Sequence, residues 1–130
     1  MSKRLVDTSA WIEVLRRDGD LKVRQAVVEA AREGRAAICN MVLLELWAGA
    51  GGSHERAGIA EMATVLECLR IDDDVWKGAH ALAQTCRAAG VTVPAADLLI
   101  AACADHHGVE ILERDGHFAQ IDAARKKGKK

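Results

Sequence analysis

Short apolar runs alternate with segments of helical spacing along most of the chain, and this alternation restricts the fold more than any other feature. The predicted strands are residues 4–6, 36–39, 67–71 and 109–112, of which the third run fits the end of a helix equally well. The predicted helices are residues 21–33, a stretch from residue 53, and residues 75–89 and 95–107. Alternating strands and helices favour a parallel sheet covered on both faces. We therefore predict an α/β fold, a three-layer sandwich with a central parallel sheet flanked by helices.

Glycines mark the ends of three of the predicted helices. Gly34, Gly90 and Gly108 each stand just past a helical pattern, where a left-handed residue commonly closes the last turn. Pro94 precedes the last helical stretch and suits a helix N-terminus, since the missing N–H is not needed there. These positions fix the predicted helix boundaries.

The bulk composition is that of an ordinary globular domain. The chain has 130 residues, of which 50% are hydrophobic and 28% charged, and this excludes a disordered or membrane-embedded class. We expect a single domain over residues 1–130, in which residues 122–130 form a flexible basic tail. With no apolar run long enough for a membrane span and no signal-peptide core, the cytoplasm is the expected location.

The four cysteines, Cys39, Cys68, Cys86 and Cys103, are widely spaced. They form no Cys-x-x-Cys pair of the kind that zinc sites use. We therefore expect reduced, mostly buried thiols.

Four acidic residues, Asp7, Glu45, Asp97 and Asp115, lie in or beside apolar runs. Carboxylates are seldom buried without a partner, because desolvating an isolated one costs several kcal/mol. Three of the four runs contain no Lys or Arg. The simplest partner is a hard divalent cation held by oxygen ligands, Mg²⁺ or Mn²⁺.

The predicted topology allows these acids to meet. Asp7 directly follows the first strand and Asp115 lies a few residues past the last one, so both are expected at the carboxyl edge of the sheet, where α/β proteins bind ligands. Asp97 is placed in the first turn of its helix, and Glu45 within about two turns of a helix start. A carboxylate cluster of this kind is suited to metal-assisted phosphoryl transfer.

Several polar residues near these acids have two interpretations. Thr8 and Ser9 can hydrogen-bond a carboxylate or a metal-bound water, or they can cap a helix starting near Ala10, and the two roles are compatible. His117 stands two residues after Asp115 and is either a phosphate contact or a plain surface histidine. The acidic run at residues 72–74 is interpreted as the cap of the following helix rather than as a metal site.

Four sequence motifs resemble those of PIN-domain ribonucleases, specifically the VapC toxins of bacterial toxin–antitoxin pairs. In chain order they are Leu5-Val6-Asp7-Thr8-Ser9-Ala10-Trp11-Ile12, Leu44-Glu45-Leu46-Trp47-Ala48-Gly49, Pro94-Ala95-Ala96-Asp97-Leu98-Leu99-Ile100-Ala101-Ala102 and Glu113-Arg114-Asp115-Gly116-His117-Phe118. The resemblance extends from Arg4 to about Ile121. The fourth motif departs from the family at Glu113, where the family often carries a small polar residue.

The resemblance implies a Mg²⁺- or Mn²⁺-dependent endoribonuclease with a PIN-like fold. It implies that Asp7, Glu45, Asp97 and Asp115 are the catalytic, metal-site acids. It also implies an RNA substrate, a homodimer, and a cognate antitoxin whose tail crosses the acidic groove and presents an Arg or Lys there. A guanidinium pairs well with clustered carboxylates when the metal is displaced.

Three alternatives remain at the level of sequence. A phosphatase or phosphotransferase would use Asp7 as a covalent nucleophile, but a second acid is wanted at the position of Ser9. A receiver-like Mg²⁺-binding module would need paired acids after the first strand, where Asp7 stands alone. An inactive RNA-binding relative is disfavoured by the presence of all four acids.

Overall fold

The computed structural model describes residues 2–16 and 18–128, and within them a four-stranded sheet is surrounded by helices. The strands are β1 (Arg4–Val6), β2 (Ala36–Cys39), β3 (Glu67–Leu69) and β4 (Glu110–Leu112). The helices are α1 (Thr8–Leu15), α2 (Leu21–Arg32), α3 (Asn40–Gly49), α4 (Ser53–Val65), α5 (Asp73–Ala88), α6 (Ala95–His107) and α7 (His117–Lys127).

The sheet is parallel throughout, with strand order β3-β2-β1-β4. Leu5 of β1 pairs with Ala37 of β2 on one side and Ile111 of β4 on the other. The two central strands are apolar over most of their length because helices cover both faces, and Leu5 and Ile38 are fully buried. The predicted α/β sandwich with a central parallel sheet is therefore confirmed.

Single residues at helix ends predicted several of the observed helix boundaries. Gly34, Gly90 and Gly108 adopt φ values of 70°, 72° and 66°, so the three predicted left-handed positions are confirmed. Asp72 caps α5 by accepting a hydrogen bond from the backbone N–H of Val75 at 3.1 Å, as the capping interpretation predicts. The ambiguous third run is a strand, β3, although it ends at Leu69 rather than at residue 71.

The cysteines are free thiols, and Cys39, Cys86 and Cys103 are buried. Cys68 is exposed on β3, an edge strand of the sheet. The expectation of reduced, mostly buried thiols is confirmed. Among the described residues, no helix is long and apolar enough to cross a membrane.

The prediction of a flexible basic tail over residues 122–130 is wrong for residues 122–127, which form the second half of α7. Phe118, Ile121 and Ala124 recur every three residues and are buried, so this face of the helix packs on the core. Arg125 adds two hydrogen bonds to Asp105 of α6, at 2.8 and 3.2 Å. The basic residues of the last turn suit the negative end of the helix dipole. Lys129 and Lys130 lie outside the described residues.

The strand order creates a crevice at one place on the carboxyl edge of the sheet. From β1 the chain proceeds to β2 and β3 on one side, whereas β4 is added on the other side. Connections that leave neighbouring strands towards opposite sides open a gap at such a switch point, and ligands of α/β sheets bind there. The gap between the ends of β1 and β4 is where the acidic residues collect.

Candidate functional site

Asp7 occupies the end of β1 and caps α1. Its Oδ2 accepts hydrogen bonds from the backbone N–H of Ser9 at 3.1 Å and from the Ser9 hydroxyl at 2.6 Å. Its Oδ1 is buried and has no hydrogen-bond partner among the described residues. Burial, with a smaller contribution from the charge of Asp115, raises the pKa of Asp7 above its ordinary value, while the Ser9 bonds oppose the shift. The side chain is thus a fixed, 98% buried carboxyl group with one oxygen unused.

Ser9 connects the two sides of the crevice. Its hydroxyl donates to Asp7 and accepts a hydrogen bond from the backbone N–H of Arg114, in the segment after β4, at 2.9 Å. The neighbouring Thr8 hydroxyl donates to Glu45 Oε1 at 2.8 Å. Both residues therefore hydrogen-bond a carboxylate, one of their two expected roles. The helix cap is Asp7 and α1 begins at Thr8, so the alternative role of Thr8 and Ser9 as the cap is wrong.

Asp97 stands in the first turn of α6 and is only 6% exposed. Its Oδ2 lies 2.5 Å from Nδ1 of His117, a short hydrogen-bonding distance. Burial raises the pKa of Asp97 to about 6, and repulsion from Asp7 and Asp115 adds to the shift while the His117 contact opposes it. The carboxyl group is therefore held in a place where its own negative charge is unfavourable.

Asp115 and His117 complete a compact group with Asp97. Asp115 Oδ1 accepts the backbone N–H of His117 at 3.0 Å and lies 3.7 Å from His117 Nδ1. One possible ligand atom from each of the three residues lies within 4.8 Å of the others, and this is the single such group in the described part of the chain. Asp115 and His117 are about one-third exposed, so the group is open to solvent on their side.

Glu113 is a further carboxylate of this cluster that the sequence reasoning treated only as a departure from the family motif. Burial raises its pKa to about 7, with repulsion from Asp115, Asp7 and Asp97. The register explains the proximity: Val6 pairs with Leu112, so Asp7 and Glu113 leave neighbouring strands at the same level. The available signal was an acid directly after an apolar strand, the same signal that identified Asp7.

Glu45 stands apart from this compact group. It lies in the second turn of α3, and its contact with the cluster runs through Thr8, the residue after Asp7. The structure thus brings Asp7, Asp97 and Asp115 together with two residues not selected from sequence, His117 and Glu113. Glu45 is connected to this group only through its hydrogen bond with Thr8, the residue after Asp7.

A groove of about 530 Å³ adjoins the acidic cluster. Thr8 and Glu45 form part of its wall, and the remainder comes from α1, α3 and α4. Ile12 and Leu15 contribute apolar surface to the groove and are 42% and 47% exposed. The groove is therefore a largely apolar surface that meets the acidic site at Thr8 and Glu45.

The donors at the crevice fit a divalent ion. Carboxylate oxygens are the preferred ligands of Mg²⁺ and related hard cations. The buried Oδ1 of Asp7 has no hydrogen-bond partner among the described residues, and the raised pKa values of Asp7, Asp97 and Glu113 show that their ionised forms are unfavourable in these surroundings. A bound cation would remove both unfavourable features.

Comparisons with known sequences and known structures indicate the same protein family. The family model described as "PIN domain" matches residues 4–124. Ribonuclease VapC11 of Mycobacterium tuberculosis is 34% identical over 122 residues, which cover 90% of each protein. A member of the VapBC family of toxin-antitoxin systems from M. tuberculosis, VapBC-5, has a TM-score of 0.69 and 26% identity, covering 94% of this chain and 92% of that chain. VapBC-1 from nontypeable Haemophilus influenzae shares the fold, with a TM-score of 0.73 at 14% identity and 92% coverage of each chain.

The hydrogen bonds of Ser9 lead to a stability prediction. We expect Ser9→Ala to destabilise the protein by about 1–2 kcal/mol, because the buried Asp7 carboxylate and the Arg114 N–H each lose a partner. Urea unfolding followed by circular dichroism measures the change. Ser53→Ala, at an exposed position where α4 begins, is the matched control and should change stability by less than about 0.5 kcal/mol. Equal stability of the two variants would contradict the bridging role of Ser9.

Proposed function

The chain belongs to the PIN-domain family, among its VapC ribonucleases, and we propose that it is a metal-dependent endoribonuclease that acts as the toxin of a toxin–antitoxin pair. The observation that carries the proposal is the convergence of Asp7, Asp97 and Asp115 at the switch point of the sheet, where one buried oxygen of Asp7 has no hydrogen-bond partner among the described residues. The family match favours hydrolysis of RNA over the phosphotransferase and receiver-like alternatives. An aspartyl-phosphate mechanism wants a second acid two residues after Asp7, and that position holds Ser9, whose hydroxyl donates a hydrogen bond to Asp7 at 2.6 Å.

We assign metal binding to Asp7, Asp97 and Asp115, with Glu45 contributing from the second turn of α3. Mg²⁺ is the proposed ion, and Mn²⁺ is expected to substitute for it. When bound, such an ion activates water and neutralises the charge on a phosphodiester.

The chain's own residues prepare the site in two ways. Ser9 and Thr8 orient Asp7 and Glu45 through their hydroxyl groups, so these carboxylates need no reorganisation when substrate arrives. Asp97 and Asp7 form the buried floor, whereas Asp115 and His117 are partly exposed and face the side from which RNA can approach. The two buried carboxylates are thus held in fixed positions, and the partly exposed residues leave room for the substrate.

Cleavage of total RNA tests the activity directly. We expect discrete fragments with Mg²⁺ or Mn²⁺ and none with EDTA, and we expect Asp7→Ala to lower the rate at least about 100-fold. Asp7 also caps α1, so Asp7→Asn, which retains a capping side chain, serves as a second variant. Gel or sequencing analysis of fragment ends measures the result.

The matched control for that assay is Asp74→Asn, which alters an exposed acid in the first turn of α5 away from the cluster. It should cleave like the unmodified protein. Cleavage that persists in EDTA, or that survives in a folded Asp7→Asn variant, would contradict the proposed chemistry.

Asp97 provides a test of the metal site that does not depend on activity. Because burial and neighbouring charges disfavour its ionised form, we expect Asp97→Asn to leave the metal-free melting temperature unchanged or higher. The same variant should lose the increase of several degrees that saturating Mn²⁺ gives the unmodified protein. Thermal unfolding with and without Mn²⁺ measures both effects, with Asp74→Asn as the control. A weakened metal-free variant that Mn²⁺ still stabilises fully would refute the metal assignment of Asp97.

We propose that the partner is an antitoxin that binds along the apolar groove and ends over the acidic cluster. The similar VapBC-5 structure is described as a member of a family of toxin-antitoxin systems. The groove offers exposed apolar side chains from Ile12 and Leu15, and its charged lining residues are Glu45 and Glu55 with Arg16. This arrangement complements an apolar segment followed by an Arg or Lys, since a guanidinium pairs with carboxylates in two-point geometry.

A substitution within the groove tests this partner. We expect Leu15→Lys to raise the dissociation constant for the protein encoded by an adjacent short reading frame at least about tenfold, because a charge replaces buried apolar contact. Calorimetry with the two purified proteins measures it. Val65→Lys, at a 73% exposed position outside the groove, should leave affinity unchanged. Equal effects of the two substitutions would place the partner elsewhere.

We further propose a homodimer and a cytoplasmic location, where the RNA substrate is found. Light scattering of the purified chain tests the first: a monomer mass at micromolar concentration would contradict it. Fractionation of the producing cell tests the second.

A further inference from the structure

His117 is the one nitrogen donor in the compact group formed with Asp97 and Asp115. Its Nδ1 lies 2.5 Å from Asp97 Oδ2 and 3.7 Å from Asp115 Oδ1. The side chain is 38% exposed, yet the ring nitrogen is directed at a buried carboxylate rather than at solvent. The imidazole therefore belongs to the acidic cluster and not to the solvated surface of α7.

We propose that His117 is a ligand of the bound ion and that it strengthens the binding of Mn²⁺ more than the binding of Mg²⁺. This inference rests on the proposed metal-dependent function and refines it, because it concerns how strongly the site binds each ion. It assigns a coordinating role to a side chain outside the four acids.

The difference follows from donor chemistry. Mg²⁺ binds oxygen donors and retains much of its water, and imidazole adds little to its affinity. Mn²⁺ shares the preference of Mg²⁺ for carboxylate and water ligands, but as a first-row transition metal it gains more than Mg²⁺ from one neutral imidazole nitrogen. Replacing one oxygen or water by the His117 nitrogen therefore strengthens Mn²⁺ binding more than Mg²⁺ binding.

The backbone holds His117 in place for this role. It is the first residue of α7, and its N–H donates to Asp115 Oδ1 at 3.0 Å, so these two residues are tied together. The next residue, Phe118, is 6% exposed and packs into the core. Arg125 ties the far end of the helix to Asp105 of α6, the helix that also carries Asp97. The imidazole and the Asp97 carboxylate thus project from helices that are fixed relative to each other.

The distances are compatible with a shared ion. Two ligands of one octahedral ion are at most about 4.2 Å apart when each bond is about 2.1 Å. The 3.7 Å separation between His117 Nδ1 and Asp115 Oδ1 falls within that limit. The 2.5 Å contact with Asp97 is a hydrogen bond that coordination would replace: its proton would leave to solvent, and Nδ1 would bind as the unprotonated nitrogen of a neutral imidazole that carries its ring proton on Nε2.

A second, independent observation indicates a cation at this place. Asp7 is 98% buried, its Oδ1 has no hydrogen-bond partner among the described residues, and its charge acts on Asp97. The charge of Asp7 and the charge of Asp115 both disfavour the ionised form of Asp97. A cation bound beside Asp97 would offset these neighbouring charges.

Pulsed electron paramagnetic resonance on Mn²⁺-loaded protein tests the proposal. We expect the ¹⁴N coupling of a directly bound imidazole in the unmodified chain and its loss in His117→Gln. Continuous-wave spectra give the Mn²⁺ dissociation constant, and competition gives that of Mg²⁺. His117→Gln should weaken Mn²⁺ binding at least about tenfold and Mg²⁺ binding less than about threefold. His80→Gln, at an exposed position on α5, is the matched control and should behave like the unmodified chain.

Three outcomes would overturn the inference. Bound Mn²⁺ without ¹⁴N coupling in the unmodified chain excludes coordination, whatever the variants do. Equal weakening of Mn²⁺ and Mg²⁺ in His117→Gln assigns His117 to the orientation of Asp97 only. Coupling that persists in His117→Gln, or in His117→Asn if the first variant does not fold, assigns the nitrogen to another residue.

These results are distinguishable from failure of the proposed function. Metal-dependent RNA cleavage without ¹⁴N coupling rejects the role of His117 alone. Absence of Mn²⁺ binding together with absence of metal-dependent cleavage rejects both.

Discussion

The parallel pairing of β1 with β4 is the interaction on which the site depends. Val6 pairs with Leu112, and the backbone N–H of Asp7 donates to the carbonyl of Leu112 at 2.9 Å. This register brings Asp7 and Glu113 to the same level and places Asp115 two residues further along. The backbone N–H of Arg114 then donates to the hydroxyl of Ser9, which ties the segment after β4 to the start of α1. Because side chains alternate along a strand, a slip of one residue would turn Asp7 away from its neighbours and dismantle the cluster.

The cluster opposes folding electrostatically, and the surrounding packing holds it together. Burial and mutual repulsion raise the pKa values of Asp7, Asp97 and Glu113. Each shift means that the ionised form is less favourable in the folded chain than in water. The supporting elements are apolar: α1 packs inward through Ala10 and Trp11. The burial of apolar side chains in the core thus offsets the repulsion between the clustered carboxylates, an arrangement common at functional sites.

Sequence patterns predicted what is local and missed what is long-range. Gly34, Gly90 and Gly108 were identifiable because a helix end requires a left-handed residue within a few positions. Asp7 and Asp97 were identifiable because an acid in an apolar run needs a partner. Glu113 carries the same local signal as Asp7 but was not selected, whereas the contact of His117 with Asp97 depends on the position of α7 and cannot be predicted from neighbouring residues.

The order of the last helix and the position of His117 have one cause. Residues 122–130 include a basic run, a pattern typical of a solvated tail. Phe118, Ile121 and Ala124 nevertheless fall on one buried face of α7, and this helix contacts α5 and α6. Since α7 begins at His117, the packing that orders the helix also fixes the imidazole beside Asp97. The composition of the site is therefore set partly by hydrophobic contacts at the opposite end of a helix, which is why the acidic motifs alone describe it incompletely.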